Sequence, residues 1–163
     1  MNMAAAAHKV DIVDYLPEHG RAVAAGMRES DRREIYYMTT LEPLSAVLLT
    51  VSHAVAVWTC MVDGEPAAIF GITRRSRLST VGVPWLLSTD RLNRVPMAVM
   101  RRSKVYFDRM MRAFPVMENH VLAENTSTVG WLKWLGFDME EPRPYGAFGA
   151  AFIRFGKGLD KCA

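Results

Sequence analysis

Residues 125–137 read NTSTVGWLKWLGF. Asn125 suits a helix N-cap, because its short side chain can accept a hydrogen bond from a first-turn amide. Gly136 suits the stop, because a glycine takes the left-handed conformation that ends a helix without steric cost. Phe137 then opens a strand and anchors it in a core. The spacing predicts a helix over 125–135 that hands the chain directly to a strand. Working outward, Val116 to Glu124 reads as the strand before it. Upstream, Pro96 to Phe114 carries Val99, Tyr106, Met110 and Phe114 at helical spacing, and Pro115 ends that run. Before it, TVGVPWLL over Thr80 to Leu87 reads as another strand, in which Pro84 requires a bulge or an edge with one amide missing. A strand–helix–strand unit across Pro96 to Phe114 places two parallel strands side by side with a right-handed crossover.

The first half supplies the rest of a sheet. His8 to Asp14 alternates polar and apolar residues, as a half-buried strand does. Pro17 opens a helix through Arg28, Ser30 and Asp31 are read as caps for a second through Met38, and Pro43 starts a third that runs to Val51. Ala54 to Val62 and Pro66 to Thr73 are strands joined at Asp63-Gly64, a pair suited to a type I′ turn. A basic loop of Arg74, Arg75 and Arg77 follows. Past Phe137, Pro142 and Pro144 punctuate a turn, and Ala147 to Phe155 alternates as the last strand. The expected architecture is a single mixed α/β domain over 8–156. Its sheet is mostly antiparallel and flanked by helices, with short tails at 1–7 and 157–163.

Composition agrees. Of 163 residues, 50% are hydrophobic and 23% charged. That excludes a mainly disordered chain. Cys60 and Cys162 are read as free thiols of a reducing cytoplasm, and His8, His19, His53 and His120 lack metal-ligand spacing. Pro43 to Val62 contains no charged residue, but Ser45, Thr50, Ser52, His53 and Thr59 dilute it, so a helix and a strand are expected there and not a membrane span. Met1 to Ala7 is too short for a signal-peptide core before His8, Lys9 and Asp11 interrupt it. The net charge of +3 is too weak to argue for nucleic acid. The basic run between Arg91 and Arg112 is either an anion site or a solvated helix face.

The element order from Val10 to Phe155, with Asn125 and Gly136-Phe137 at their separation, resembles the GNAT superfamily of acetyl-CoA-dependent N-acetyltransferases. The runs VPWLLSTDRL, WLKWLGF and PRPYGAFGAAFIRF are similar to small acetyltransferase-like proteins of T7-type tailed bacteriophages, the internal-virion or morphogenesis group. The resemblance implies acetyl-CoA as cofactor and an amine acceptor on a host or phage protein. It also implies residence in the cytoplasm of an infected bacterium or association with the virion.

The same resemblance assigns site residues. It implies a splay between the fourth and fifth strands, with the amides of Trp85, Leu86 and Leu87 facing the cofactor. Two family features are missing. The run Ser88 to Pro96 has no glycine to cradle a diphosphate, so Ser88, Thr89, Arg94, Arg101 and Arg102 are expected to substitute, with Asn125 completing the cofactor set. Leu132 stands where many members carry a tyrosine acid. Glu118, His120 and Glu124 are the candidate general bases on the strand before Asn125, with His53 a further candidate between helix and strand. The alternative is a non-catalytic scaffold of the same architecture, acting in virion assembly or in binding a host protein.

Overall fold

A computed structural model describes residues 7–159. One sheet runs through the molecule in the order β1-β2-β3-β4-β5-β8-β6, with β7 also pairing β8. The strands are β1 (Val10–Asp14), β2 (Ala54–Val62), β3 (Glu65–Arg74), β4 (Val81–Ser88), β5 (Val116–Leu122), β6 (Asp138–Met139), β7 (Arg143–Tyr145) and β8 (Ala150–Lys157). The helices are α1 (Pro17–Ala25), α2 (Glu29–Thr39), α3 (Pro43–Ser52), α4 (Pro96–Ala113) and α5 (Thr126–Trp134). All strand pairs are antiparallel except β4 with β5. That exception is the pair joined by α4, as the strand–helix–strand reading requires. Cys162 and parts of both expected tails lie outside the described residues.

Local chemistry sets the turns. Asp63 (φ 53°) and Gly64 (φ 82°) both take positive φ, which matches the right-handed twist of a two-residue hairpin. Gly136 (φ 84°) ends α5, and the Phe137 amide donates back to the Leu132 carbonyl, so the chain reverses and buries Phe137 against Phe107 and Phe155. Two cores flank the sheet. One, including Phe70, Phe107, Met110, Val121, Leu132 and Phe137, lies under α4 and α5. The other, of Val23, Ala24, Met27, Ile35, Ala46, Val47 and Ile69, lies under α1, α2 and α3. The charge-free 43–62 stretch divides into α3 and β2, and among the described residues no helix is long and apolar enough to cross a membrane.

Three details differ from expectation. Helix α2 begins at Glu29 with Arg28 at the N-cap, so Ser30 and Asp31 sit inside its first turn and do not cap it. Asp31 is instead buried and drawn into a tertiary bond described below. Trp131 and Trp134 both read from sequence as core-packing indoles, yet Trp134 is half exposed, because α5 turns that face to solvent. Asn125 occupies the N-cap position of α5, but its side chain makes no cap bond.

Candidate functional site

Strands β4 and β5 pair only through Val81–Val116 and Gly82–Met117. Beyond that fork, Val83–Ser88 and Glu118–Leu122 run apart. The cause is local. The bonds of Thr89 to Ala67 and of Ser88 to α2 fix the alternation of β4: Trp85 and Leu87 turn their amides to β3, while Pro84, Leu86 and Ser88 turn theirs towards β5. Pro84 therefore has no donor on the very edge that would continue the ladder. Its carbonyl accepts instead from Asn119 Nδ2 at 2.9 Å, and Asn119 Oδ1 accepts the His120 amide at 2.8 Å. A side-chain amide thus stands where the next rung would be.

The wide end of the wedge is laced by α2. Asp31 accepts from both the amide and the hydroxyl of Ser88, at 2.8 and 2.9 Å. Glu34 Oε2, one turn further on, accepts the Leu122 amide of β5 at 3.0 Å and lies 3.4 Å from Asn125 Nδ2. One helix therefore terminates the free edges of both strands with carboxylates. Between Pro84 and Ser88, only Leu86 keeps an edge amide and carbonyl with no partner among the described residues.

A cavity of about 730 Å³ threads the wedge. On one side it reaches Phe107, Trp131 and Leu132 beneath α4 and α5. On the other it is walled by Glu34, Trp85 and His120 together with apolar residues of α2 and α3. A smaller cleft of about 190 Å³ adjoins it between the start of α4 and the start of α5, lined by Arg28, Leu86, Asn93, Ser127 and Thr128 among others. Arg28 bonds Asp31 at 2.8 Å through Nε and Thr128 Oγ1 at 3.1 Å through Nη2.

Electrostatics separates the acid candidates. Burial raises Glu34 to about 7, with Asp31 adding to the rise, and the Leu122 amide, Asn125 and Arg28 opposing it. Burial raises Asp31 also, against the pull of Arg28 and Ser88. His120 is pushed below its ordinary value by burial and then by the Arg154 charge, with Glu118 and Glu140 opposing, which favours a neutral ring. That ring stacks on Tyr145 with centroids 3.8 Å apart. Both oxygens of Glu118 are held, one by Arg75 at 2.8 Å and the other by Arg154. Glu124 is exposed and paired with Arg33 at 2.9 Å. Of the three bases named from sequence, only His120 lines the cavity. His53 lines its outer rim and bonds the Leu49 carbonyl at 2.9 Å.

The cofactor candidates divide similarly. Leu86 offers the free edge. The backbone amides of Trp85 and Leu87 belong to the β3 ladder. Ser88 spends both donors on Asp31, and Thr89 spends its amide and hydroxyl on the Ala67 carbonyl. Arg94, Arg101 and Arg102 are exposed and line neither cavity. Arg94 exerts its charge on Asp63 of the β2–β3 turn and Arg102 on Cys60 of β2. Asn125 is buried against Glu34.

Sequence reasoning missed Arg28, Asp31 and Glu34. The signal was present: Asp31, Glu34, Ile35 and Met38 share one helical face, and a carboxylate on an apolar stripe needs a buried partner. The basic 91–112 run is largely a solvated surface, with Lys104 bridging Asp108 at 2.5 Å and Arg109 lying 4.8 Å from the centroid of the Tyr106 ring.

No family model matches the chain, and no curated protein matches it. Solved structures do. A ribosomal-protein-alanine N-acetyltransferase from Brucella melitensis superposes with TM-score 0.69 at 10% identity, covering 90% of this chain and 98% of that one. The protein yncA from Salmonella typhimurium, solved with its cofactor acetyl-CoA, gives 0.66 at 12% identity, covering 91% and 92%. An acetyltransferase of the GNAT family from Streptococcus pneumoniae gives 0.58 at 13%, covering 91% and 99%. Strand order, the parallel β4–β5 fork and these superpositions together establish that the chain has the fold of the GNAT acetyltransferases.

Proposed function

We propose that the protein transfers an acetyl group from acetyl-CoA to a primary amine inside the β4–β5 wedge. The observation that carries this reading is the wedge itself: two strands paired at two positions, a free amide and carbonyl at Leu86, and a cavity passing from one face of the sheet to the other. The donor set fits the cofactor at the pantetheine end, where Leu86 would pair with its amides. At the diphosphate end the fit rests on Arg28 and the Ser127 and Thr128 hydroxyls, in place of a glycine loop.

Acetyl-CoA, when bound, supplies a thioester whose carbonyl carbon bonds to the amine nitrogen as the carbon–sulfur bond breaks. Holding the two reactants in one enclosed site supplies much of the rate. Glu34 takes the proton that the amine loses. One of its oxygens is anchored to β5, the other has no partner among the described residues, and a carboxyl poised near 7 suits a base at neutral pH. His120, kept neutral against Tyr145, walls the path the amine follows. Leu132 cannot donate, so water protonates the departing thiolate and the proton taken by Glu34 returns to solvent.

Calorimetry with acetyl-CoA tests the reading directly. Saturable binding is expected, and no heat at millimolar cofactor would remove it. One observation favours a second reading: Ser88 and Thr89 have no donor left for a phosphate. A non-catalytic protein that keeps the architecture to bind a host or phage protein would look the same there. A T7-type phage setting, for either role, is supported by the sequence likeness of 83–92, 131–137 and 142–155. Pull-down from infected cells that recovers a partner without cofactor dependence would favour this second reading.

A further inference from the structure

The β3–β4 loop reads RRSRLST over 74–80, with no acid to offset its arginines. Arg74, Arg75 and Arg77 are exposed, and all of them line the large cavity. Among the described residues that line it, Glu34 is the one carboxylate. Arg74 donates to the Ser79 carbonyl at 3.3 Å and lies 5.2 Å from the centroid of the Phe114 ring. Arg75 bonds Glu118 of β5 at 2.8 Å, and Arg77 has no ion pair among the described residues. Glu118 and Glu140 do not neutralise this end of the cavity, because Arg154 bonds both. Strand register relates the loop to Glu34. Glu34 holds the Leu122 amide, and Arg75 holds the Glu118 carboxylate four residues back along β5. Four residues of strand span about 13 Å. Met117 and Val121 belong to the core under α4 and α5, so alternation puts Glu118 and His120 on the opposite face, that of α1–α3. The same cavity takes in Leu49 and Thr50 of α3, His53 at its end, and Val55, Thr73 and Val83 of the sheet. It is therefore a mixed apolar and hydroxyl-bearing groove with a carboxylate anchored near one end of β5 and arginines near the other.

Resting on the transferase reading, we propose that the acceptor is the N-terminus of an acidic peptide, its amine at Glu34 and its acidic side chains on Arg75 and Arg77. An extended chain advances about 3.3 Å per residue, so the carboxylates belong at the fourth and fifth positions. A small amine is too short to reach both anchors, whereas a peptide of this length lays its intervening side chains on the groove. Arginine keeps its charge at every working pH, and its planar fork matches a carboxylate. A polyamine carries positive charge to the same arginines and is turned away.

C-terminally amidated hexapeptides test the assignment: Ser-Leu-Val-Glu-Glu-Val, its Gln-Gln and Lys-Lys counterparts, and Ser-Glu-Glu-Leu-Val-Val, in which the acids are moved next to the amine. Binding to the full chain is read from amide shifts in ¹⁵N–¹H spectra, with and without coenzyme A, and transfer from acetylation assays. At low salt the Glu-Glu peptide is expected to bind about fivefold more tightly than the Gln-Gln peptide, the upper end for an exposed ion pair, and the advantage should fade at high salt. Moving the acids next to the amine should abolish that advantage. Arg77→Glu, at an exposed loop position, should bring the Glu-Glu to Gln-Gln ratio near one in binding and in kcat/KM. Taking the ratio cancels any general change in the protein. Equal affinity for the two peptides, a preference for Lys-Lys, no shift with any peptide at millimolar concentration, or an unchanged ratio in Arg77→Glu overturns the assignment. Displacement of the Glu-Glu peptide by hexathymidylate at a lower concentration would also overturn it, giving the loop to nucleic acid. Failure of acetyl-CoA to bind while the Glu-Glu preference holds would remove the transferase and leave an acidic-peptide groove. Equal acetyl transfer to the Glu-Glu and Gln-Gln peptides would keep the transferase and remove the acidic specificity.

Discussion

Replacing Glu34 by glutamine tests the acid that laces β5. A carboxyl whose value rises from 4.5 to about 7 on folding binds its proton more tightly in the native state than in the unfolded chain. Its contribution to stability is therefore fully present below pH 4.5 and is lost as pH rises through about 7. The interval corresponds to roughly 3 kcal/mol at about 1.4 kcal/mol per pKa unit. Solvent reaching Glu34 through the cavity screens part of that, so about 2 kcal/mol is the expected net. Glu34→Gln keeps an oxygen for the Leu122 amide and removes the charge. Urea unfolding followed by tryptophan fluorescence, at pH 5 and pH 8, gives the difference between variant and wild type at each pH. Groups other than Glu34 titrate in both proteins and largely cancel in that difference. The variant should gain between about 1 and 2 kcal/mol relative to wild type on going from pH 5 to pH 8, the rest of the loss lying below pH 5. A difference that is the same at both values, or that moves the other way, would refute a buried carboxylate ionising near neutrality. The same variant should flatten the rise of kcat/KM with pH through about 7.

Leu86→Pro removes the one free edge amide of β4 and should weaken acetyl-CoA binding about tenfold by calorimetry while the fold survives. Leu87→Pro, which breaks a rung to β3, should instead unfold the domain, and circular dichroism separates the two outcomes. Asn119→Ala strips the fork of two bonds, to the Pro84 carbonyl and from the His120 amide, and should cost about 2 kcal/mol in urea unfolding. Burial pushes the Cys60 thiol up to about 11, so iodoacetamide at pH 8 should label it slowly in the native protein and quickly in urea. Rapid native labelling would contradict the packing of β2 beneath α4.

The parts of the site that depend on neighbouring residues were legible. Pro84 announced a break in β4, and the break is the fork of the wedge. Asp63-Gly64 announced the hairpin that orders β2 and β3. Gly136-Phe137 announced the reversal after α5. The parts that depend on distant residues were not. Ser88 and Thr89 looked like free donors, and both are spent. Arg94, Arg101 and Arg102 looked like an anion clamp, and all three are exposed and line neither cavity. Glu118 looked like a base, and two arginines hold it.

By itself, the amino-acid sequence determined where the chain must bend, cap and alternate, because turn conformers, proline's missing donor and hydrophobic period act within a few residues. Only the tertiary structure decided which polar groups are still unoccupied. Asp31 meets Ser88 across 57 positions and Glu34 meets Leu122 across 88. A hydrogen bond satisfies a donor as well from that far along the chain as from next door. The chemistry left over in the wedge is therefore a property of the packed molecule, the Leu86 amide, a carboxylate oxygen of Glu34 and the His120 ring among it.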